Sequence, residues 1–171
     1  MTTITAIDYR RTDLRTNVLE NPYWITSGLV DATASEDLGA ILFSFPTAGQ
    51  IIFVEQVVCQ IVAACTAGTT IDIGSGTLAT DAVTTGGVVT EVDADEYLDN
   101  TDITSTSAGR YAPTTGHASD WLTAKIAGSY AAPYIITGAA TTVPCIYALC
   151  ANSGTISAGT FRVHLLISVV P

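Results

Sequence analysis

From residue 39 onward, short apolar stretches recur between clusters of Gly, Pro, Thr and Ser, which is the spacing of strands in a β-sandwich or barrel. The pattern predicts strands over 39–45, 51–64, 69–74, 88–92, 133–137, 144–151 and 160–170. The last is the clearest. Phe161, Val163, Leu165, Ile167 and Val169 share one face and Arg162, His164 and Ser168 the other, so the odd positions are read as core. In 51–64 both parities are apolar (Ile51, Phe53, Val57, Ile61 against Ile52, Val54, Val58, Val62). This predicts a strand covered on both faces, with a neighbouring subunit as the second cover. Two stretches read as short helical turns, 94–100 and 118–125, the second capped by Ser119 or Asp120.

Residues 1–30 lack the alternating pattern and hold three of the six basic residues, Arg10, Arg11 and Arg15, ahead of Pro22, Tyr23 and Trp24. They are expected to form an extended N-terminal arm, and residues 31–171 a β-sandwich domain. The arm should reach a neighbour, with the three arginines paired to its carboxylates and Tyr23 and Trp24 anchoring the base on apolar surface.

Composition adds an argument about assembly. Of 171 residues 48% are hydrophobic and 13% charged, and abundant threonine beside Val, Ile and Tyr favours strand over helix. With a mean hydropathy of +0.41, the chain carries more apolar surface than one small domain hides, so an oligomer, a homotrimer, is expected. The formal charge of −10 argues against nucleic acid as a partner. The polar, basic N-terminus has no apolar segment behind its arginines, so the chain is expected to stay where it is made. The apolar runs 51–65 and 163–170 are too short or too interrupted for a helix across a bilayer of roughly 30 Å, and no membrane partner is expected. Cys59, Cys65, Cys145 and Cys150 form no CxxC and read as reduced core thiols. In one regular strand Cys59 and Cys65 would lie roughly 20 Å apart.

Candidate chemistry is sparse. Catalysis would have to use His117 or His164, the only histidines. His164 beside Arg162 reads as part of a sheet face available as an interface. His117 and Asp120 would be neighbours on a helical turn, but Ser119 would point elsewhere and no GxSxG elbow is present. Glu91, Asp93, Asp95, Glu96, Asp99 and Asp102 crowd one segment. The plain reading is a solvated acidic loop and the alternative a calcium site, although the EF-hand spacing is absent. Gly74, Gly76, Gly86 and Gly87 fit no phosphate-cradling motif and read as turn glycines. No enzyme, cofactor or resident metal is expected.

The order of segments carries a resemblance: an apolar strand pair, TIDIGSGTLATDAV (70–83), the acidic EVDADEYLD (91–99) and a C-terminal TISAGTFRVHLLISVVP (155–171). Over residues 39–171 the chain resembles the head decoration, or cement, proteins of tailed bacteriophages. That resemblance implies a jelly-roll sandwich assembled as a trimer in the bacterial cytoplasm and seated on the outside of the virion, where it bridges copies of the major capsid protein. The competing class is a trimeric tail-fibre or spike module that binds host-surface glycan through an exposed aromatic platform, for which Trp24, Trp121, Tyr97, Tyr111, Tyr130 and Tyr134 supply the residue types.

Overall fold

The computed structural model describes residues 3–8, 10, 22–32, 38–45, 48–49, 51–65, 69–79, 87–102, 134–137, 142–152 and 158–170. Ten strands follow in chain order: β1 (Thr3–Asp8), β2 (Tyr23–Thr26), β3 (Val30–Asp31), β4 (Leu38–Ser44), β5 (Ile51–Ala63), β6 (Thr69–Leu78), β7 (Gly87–Asp102), β8 (Tyr134–Thr137), β9 (Val143–Asn152) and β10 (Thr160–Val170). The described chain is all-β, without a helix, and makes a two-sheet sandwich. One sheet runs β2-β10-β5-β8, with β3 also paired to β10; the other runs β1-β4-β9-β6-β7 and closes into a barrel because β1 pairs with β7 as well. Every pairing is antiparallel except β1 with β4. When β2 and β4 to β10 are counted 1 to 8 along the chain, the sheets read 1-8-3-6 and 2-7-4-5.

The alternation in β10 has the expected consequence. Phe161, Val163, Leu165 and Ile167 are buried between the sheets, with Val169 partly buried at the end of the row. They meet Ile52, Val54, Cys59 and Ile61 of β5 and, across the sandwich, Leu42, Phe43, Ile71, Ile73, Ile146 and Ala148.

The double apolar pattern of 51–64 has a different cause from the one expected. Leu166 pairs with Gln56 but Ile167 with Val54, so Glu55 is an extra residue in a β-bulge. A bulge exchanges the faces of all that follows. Ile52 and Val54 therefore share the inner face with Val57, Cys59 and Ile61, and Ile51 and Val62 lie exposed on the other.

The strand covered on both faces is β9. Ile146, Ala148 and Cys150 belong to the inter-sheet core, whereas Val143, Cys145 and Tyr147 join Ile41, Leu78 and Val89 in a second core inside the barrel. β4 serves both cores through a bulge of its own. Ile41 pairs with Tyr147 and Phe43 with Ile146, so the extra residue Leu42 transfers the chain from one core to the other.

The arm is corrected by the same geometry. Thr3–Asp8, Tyr23–Thr26 and Val30–Asp31 are strands of the body, one in the barrel and two in the other sheet. β1 supplies the missing side of the barrel, whose interior would otherwise open between β4 and β7. The helical turn expected at 94–100 and the loop expected at 91–102 are instead the later part of β7, where paired backbone overrides the acidic side chains. The turn expected at 118–125 lies outside the described residues.

Two glycines occupy places that a side chain would contest. Gly74 and Gly76 lie within β6 and are not turn glycines. At Gly76 a Cβ would meet Val89 Cγ1 at 2.6 Å, the Thr90 carbonyl at 3.0 Å and Tyr147 Cε1 at 3.3 Å, so this glycine makes room for the tyrosine ring. Gly159 has φ +146° and its missing Cβ would fall on Cys65, while its carbonyl accepts a hydrogen bond from the Ala32 N–H at 3.0 Å.

Two substitutions test this packing. Leu165→Ala should lower stability by about 2–5 kcal/mol through the cavity it leaves between the sheets; an unchanged urea midpoint would contradict the face assignment. Gly76→Ala should cost about 1–3 kcal/mol by overpacking the barrel, read in the same titration, and a neutral result would mean that Tyr147 does not cross over Gly76.

Candidate functional site

The outer face of the β2-β10-β5 sheet gathers most of the exposed chemistry. Cross-strand register sets Thr26 opposite His164, Trp24 opposite Leu166, and Leu166 opposite Gln56. The His164 ring lies between two polar side chains: Nδ1 is 2.8 Å from Thr26 Oγ1 and Nε2 is 3.0 Å from Gln60 Oε1. Because an amide oxygen only accepts, Nε2–H donates to Gln60, and in the neutral ring Nδ1 then accepts from the Thr26 hydroxyl. Burial, helped by the positive charge of Arg162, holds the imidazole below its ordinary pKa.

His164 is therefore a clamp across three strands. Just beneath it Ser27, which is buried, accepts a hydrogen bond from the Val163 N–H at 3.0 Å and donates to the Gly28 carbonyl at 2.8 Å. The Ser27 N–H in turn donates to the Val163 carbonyl at 2.9 Å, which continues the β2 edge past its last paired residue.

Trp24 lies 50% exposed on this face. Expected to anchor the base of the arm on apolar surface, it sits in β2 on the same side as Thr26, away from its own chain's core. Tyr23, the alternate residue, packs against the core, and burial raises its phenol pKa. Arg162 is exposed one row from His164. The face thus has an apolar end, with Trp24, Leu166 and exposed Ile51, and a polar end, with Thr26, His164, Gln60 and Arg162.

A second polar group lies at the barrel. The Tyr147 hydroxyl donates to Glu91 Oε2 at 3.2 Å, and burial, with the carboxylates of Glu91 and Asp93 adding to it, raises the phenol's pKa. Arg10 donates to Ser44 Oγ at 2.5 Å at the end of β4, and its charge opposes the effect of burial on Cys145, whose thiol is nevertheless pushed up to about 12. Arg10, expected to pair with a neighbour's carboxylate, follows β1 and is hydrogen-bonded to Ser44 of its own chain. Arg11, Arg15, His117, Ser119 and Asp120 lie outside the described residues.

The cysteines are free and buried. Burial pushes Cys65 up to about 11 and Cys150 up to about 12, and raises Cys59 still further. Cys59, Cys65 and Cys150 share the inter-sheet core; β5 ends at Ala63, so Cys59 and Cys65 do not lie in one regular strand. Among the described residues no group of His, Cys, Asp and Glu is arranged to hold a metal ion, and no helix is long and apolar enough to cross a membrane.

Thr26, Gln60, Ser27 and Tyr147 were not legible as partners, because each contact joins residues far apart in the chain. No family model, curated protein or solved structure matches the chain.

The clamp makes a pH prediction. Since His164 has a folded-state pKa below its unfolded value of about 6.5, the unfolded chain takes up the proton first as pH falls, and the contribution to stability is present above that value and lost below it. Urea midpoints at pH 8 and pH 5 should differ more for the natural chain than for His164→Gln. Equal differences would show that the clamp does not feel the proton.

Proposed function

We propose that the chain is a non-enzymatic viral structural protein, a decoration subunit that sits on the outside of a tailed-phage head and ties copies of the major capsid protein together. The observation that carries this reading is the strand order. Eight strands ordered 1-8-3-6 and 2-7-4-5 match two interleaved Greek keys, the jelly-roll arrangement found in viral capsid and lectin domains. Fold alone does not assign a role, and three further features support this one. The outer face of the β10 sheet offers Trp24, Leu166 and Arg162 for contact, with the exposed carboxylate of Asp31 at its β3 end. The charge of −10 suits a surface that must not bind packaged DNA. His164 spends both ring nitrogens on structural hydrogen bonds. We take the assembled form to be a homotrimer located on the virion exterior.

A second reading, a module that binds host-surface glycan, is favoured by one observation: Trp24 is a half-exposed indole on a sheet face that also carries Thr26, Gln60 and Arg162. An aromatic plane beside polar groups is a surface on which a sugar ring can stack.

Co-sedimentation with expanded, undecorated heads of the encoding phage separates the two. Decoration predicts saturable binding that Trp24→Ala weakens about tenfold or more, as truncating an interface anchor does, with the urea midpoint little changed. Binding to host polysaccharide but not to heads would establish the second reading, and binding to neither would overturn both. Light scattering should return about three times the 17.7 kDa chain mass; a monomer at micromolar concentration contradicts the trimer.

A further inference from the structure

The seat of β1 differs from that of every other strand in the barrel. Thr3–Ala6 pairs with Gly87–Thr90 of β7, and Ala6–Asp8 pairs with Gly39–Ile41 of β4, so only Ala6 has a partner on both sides. The strand crosses the gap as a diagonal strap. Its bond to β4 is parallel, a pairing slightly weaker per residue than the antiparallel kind. By contrast β9 is paired to β6 along its whole length and to β4 from Cys145 to Cys150. What lies beneath the strap is apolar: Ile41, Val89, Tyr147 and Cys145 are all buried in the barrel. A gap left open between β4 and β7 would wet that core, so an occupant is required at all times.

We propose that the occupant is exchangeable between copies: the slot between β4 and β7 of one subunit accepts Thr3–Asp8 of a second copy of this chain. Every backbone pairing made by β1 within its own subunit is available identically from the same segment of another, which is the condition for domain swapping. Reach also permits it. The twelve residues 11–22, which join Arg10 to Tyr23, span up to about 40 Å when extended, and a body of this length has a diameter of about 40 Å from its radius of gyration. The strand can therefore cross to a touching neighbour. A locally weak strap opens at lower free energy than the whole fold, and once a neighbour is adjacent its slot is reached by a tethered strand, as the strand's own slot is. The inference concerns how copies are joined and holds whether they decorate a head or bind a glycan.

Paired cysteines test it on the full chain. Thr5 lies opposite Val88 in the β1–β7 register, and Val88 is exposed, so a thiol there disturbs no core. The singly substituted proteins Thr5→Cys and Val88→Cys are mixed, taken under reducing conditions to partial unfolding and back, and then oxidised mildly. The native thiols stay protonated in the folded state and do not compete. The expected result is a disulfide-linked dimer that joins position 5 of one chain to position 88 of the other, identified by peptide mass. The doubly substituted chain serves as the control for closure within one subunit. Thr3→Cys with Thr90→Cys, the pair two residues along the same register, repeats the test if the first pair impairs folding. The proposal is overturned if the doubly substituted chain closes on itself while the mixed singles give no 5-to-88 or 3-to-90 linkage.

Discussion

The fold depends on a strand with no wet face. β9 sends Ile146, Ala148 and Cys150 into the space between the sheets and Val143, Cys145 and Tyr147 into the barrel, so the sheet that contains it needs a cover on each side. An ordinary sandwich supplies one cover, the facing sheet. Here the second comes from curling the sheet until β1 can bridge β4 and β7. The bulge at Leu42 and the glycine at position 76 both fit the sheet to these two cores, the first by returning Phe43 to the inter-sheet core after Ile41 has faced the barrel and the second by leaving space for the Tyr147 ring. Burying both faces of one strand yields two cores from a chain of modest size, and part of the high apolar content that pointed outward to partners is used inside.

The outer surfaces differ accordingly. The sheet of β2, β10 and β5 has one core face and one free face, and the free face carries an aromatic residue, a cation and a histidine whose hydrogen bonds stitch three strands together. The polar group at the barrel is built on Tyr147 and Glu91, and the acidic run that includes Glu91 belongs to a strand of that sheet. The free face of the β10 sheet thus combines Trp24, Arg162 and His164, which gives an otherwise acidic chain a face suited to contact.

How much of this was legible in the sequence varied with the local pattern. β10 was readable residue by residue because its alternation is strict and its bulge lies opposite, in β5. β5 was located correctly and its faces were not, because one extra residue, Glu55, makes two half-strands of opposite parity look like one strand covered twice. β7 was read only as far as its apolar start; its acidic continuation is held in strand form by pairing with β6, a nonlocal effect that residue preference does not reveal. β1 and β2 were assigned to an arm because of the arginines near them, although Thr3-Ile4-Thr5 and Tyr23-Trp24-Ile25-Thr26 carry the β-branched and aromatic residues that favour strands. Of the exposed face, His164 and Arg162 were legible from parity, whereas Thr26 and Gln60, 138 and 104 residues from His164 in sequence, required the register.

Hydrogen exchange followed by mass spectrometry on the intact chain tests most directly the claim that β1 is an integral cover of a doubly buried β9. The account predicts slow exchange throughout Val143–Asn152 and clear protection of Thr3–Asp8, weaker than that of β9 because only Ala6 is paired on both sides. Exchange of residues 3–8 at the rate of an unstructured peptide, with β9 still protected, would contradict it.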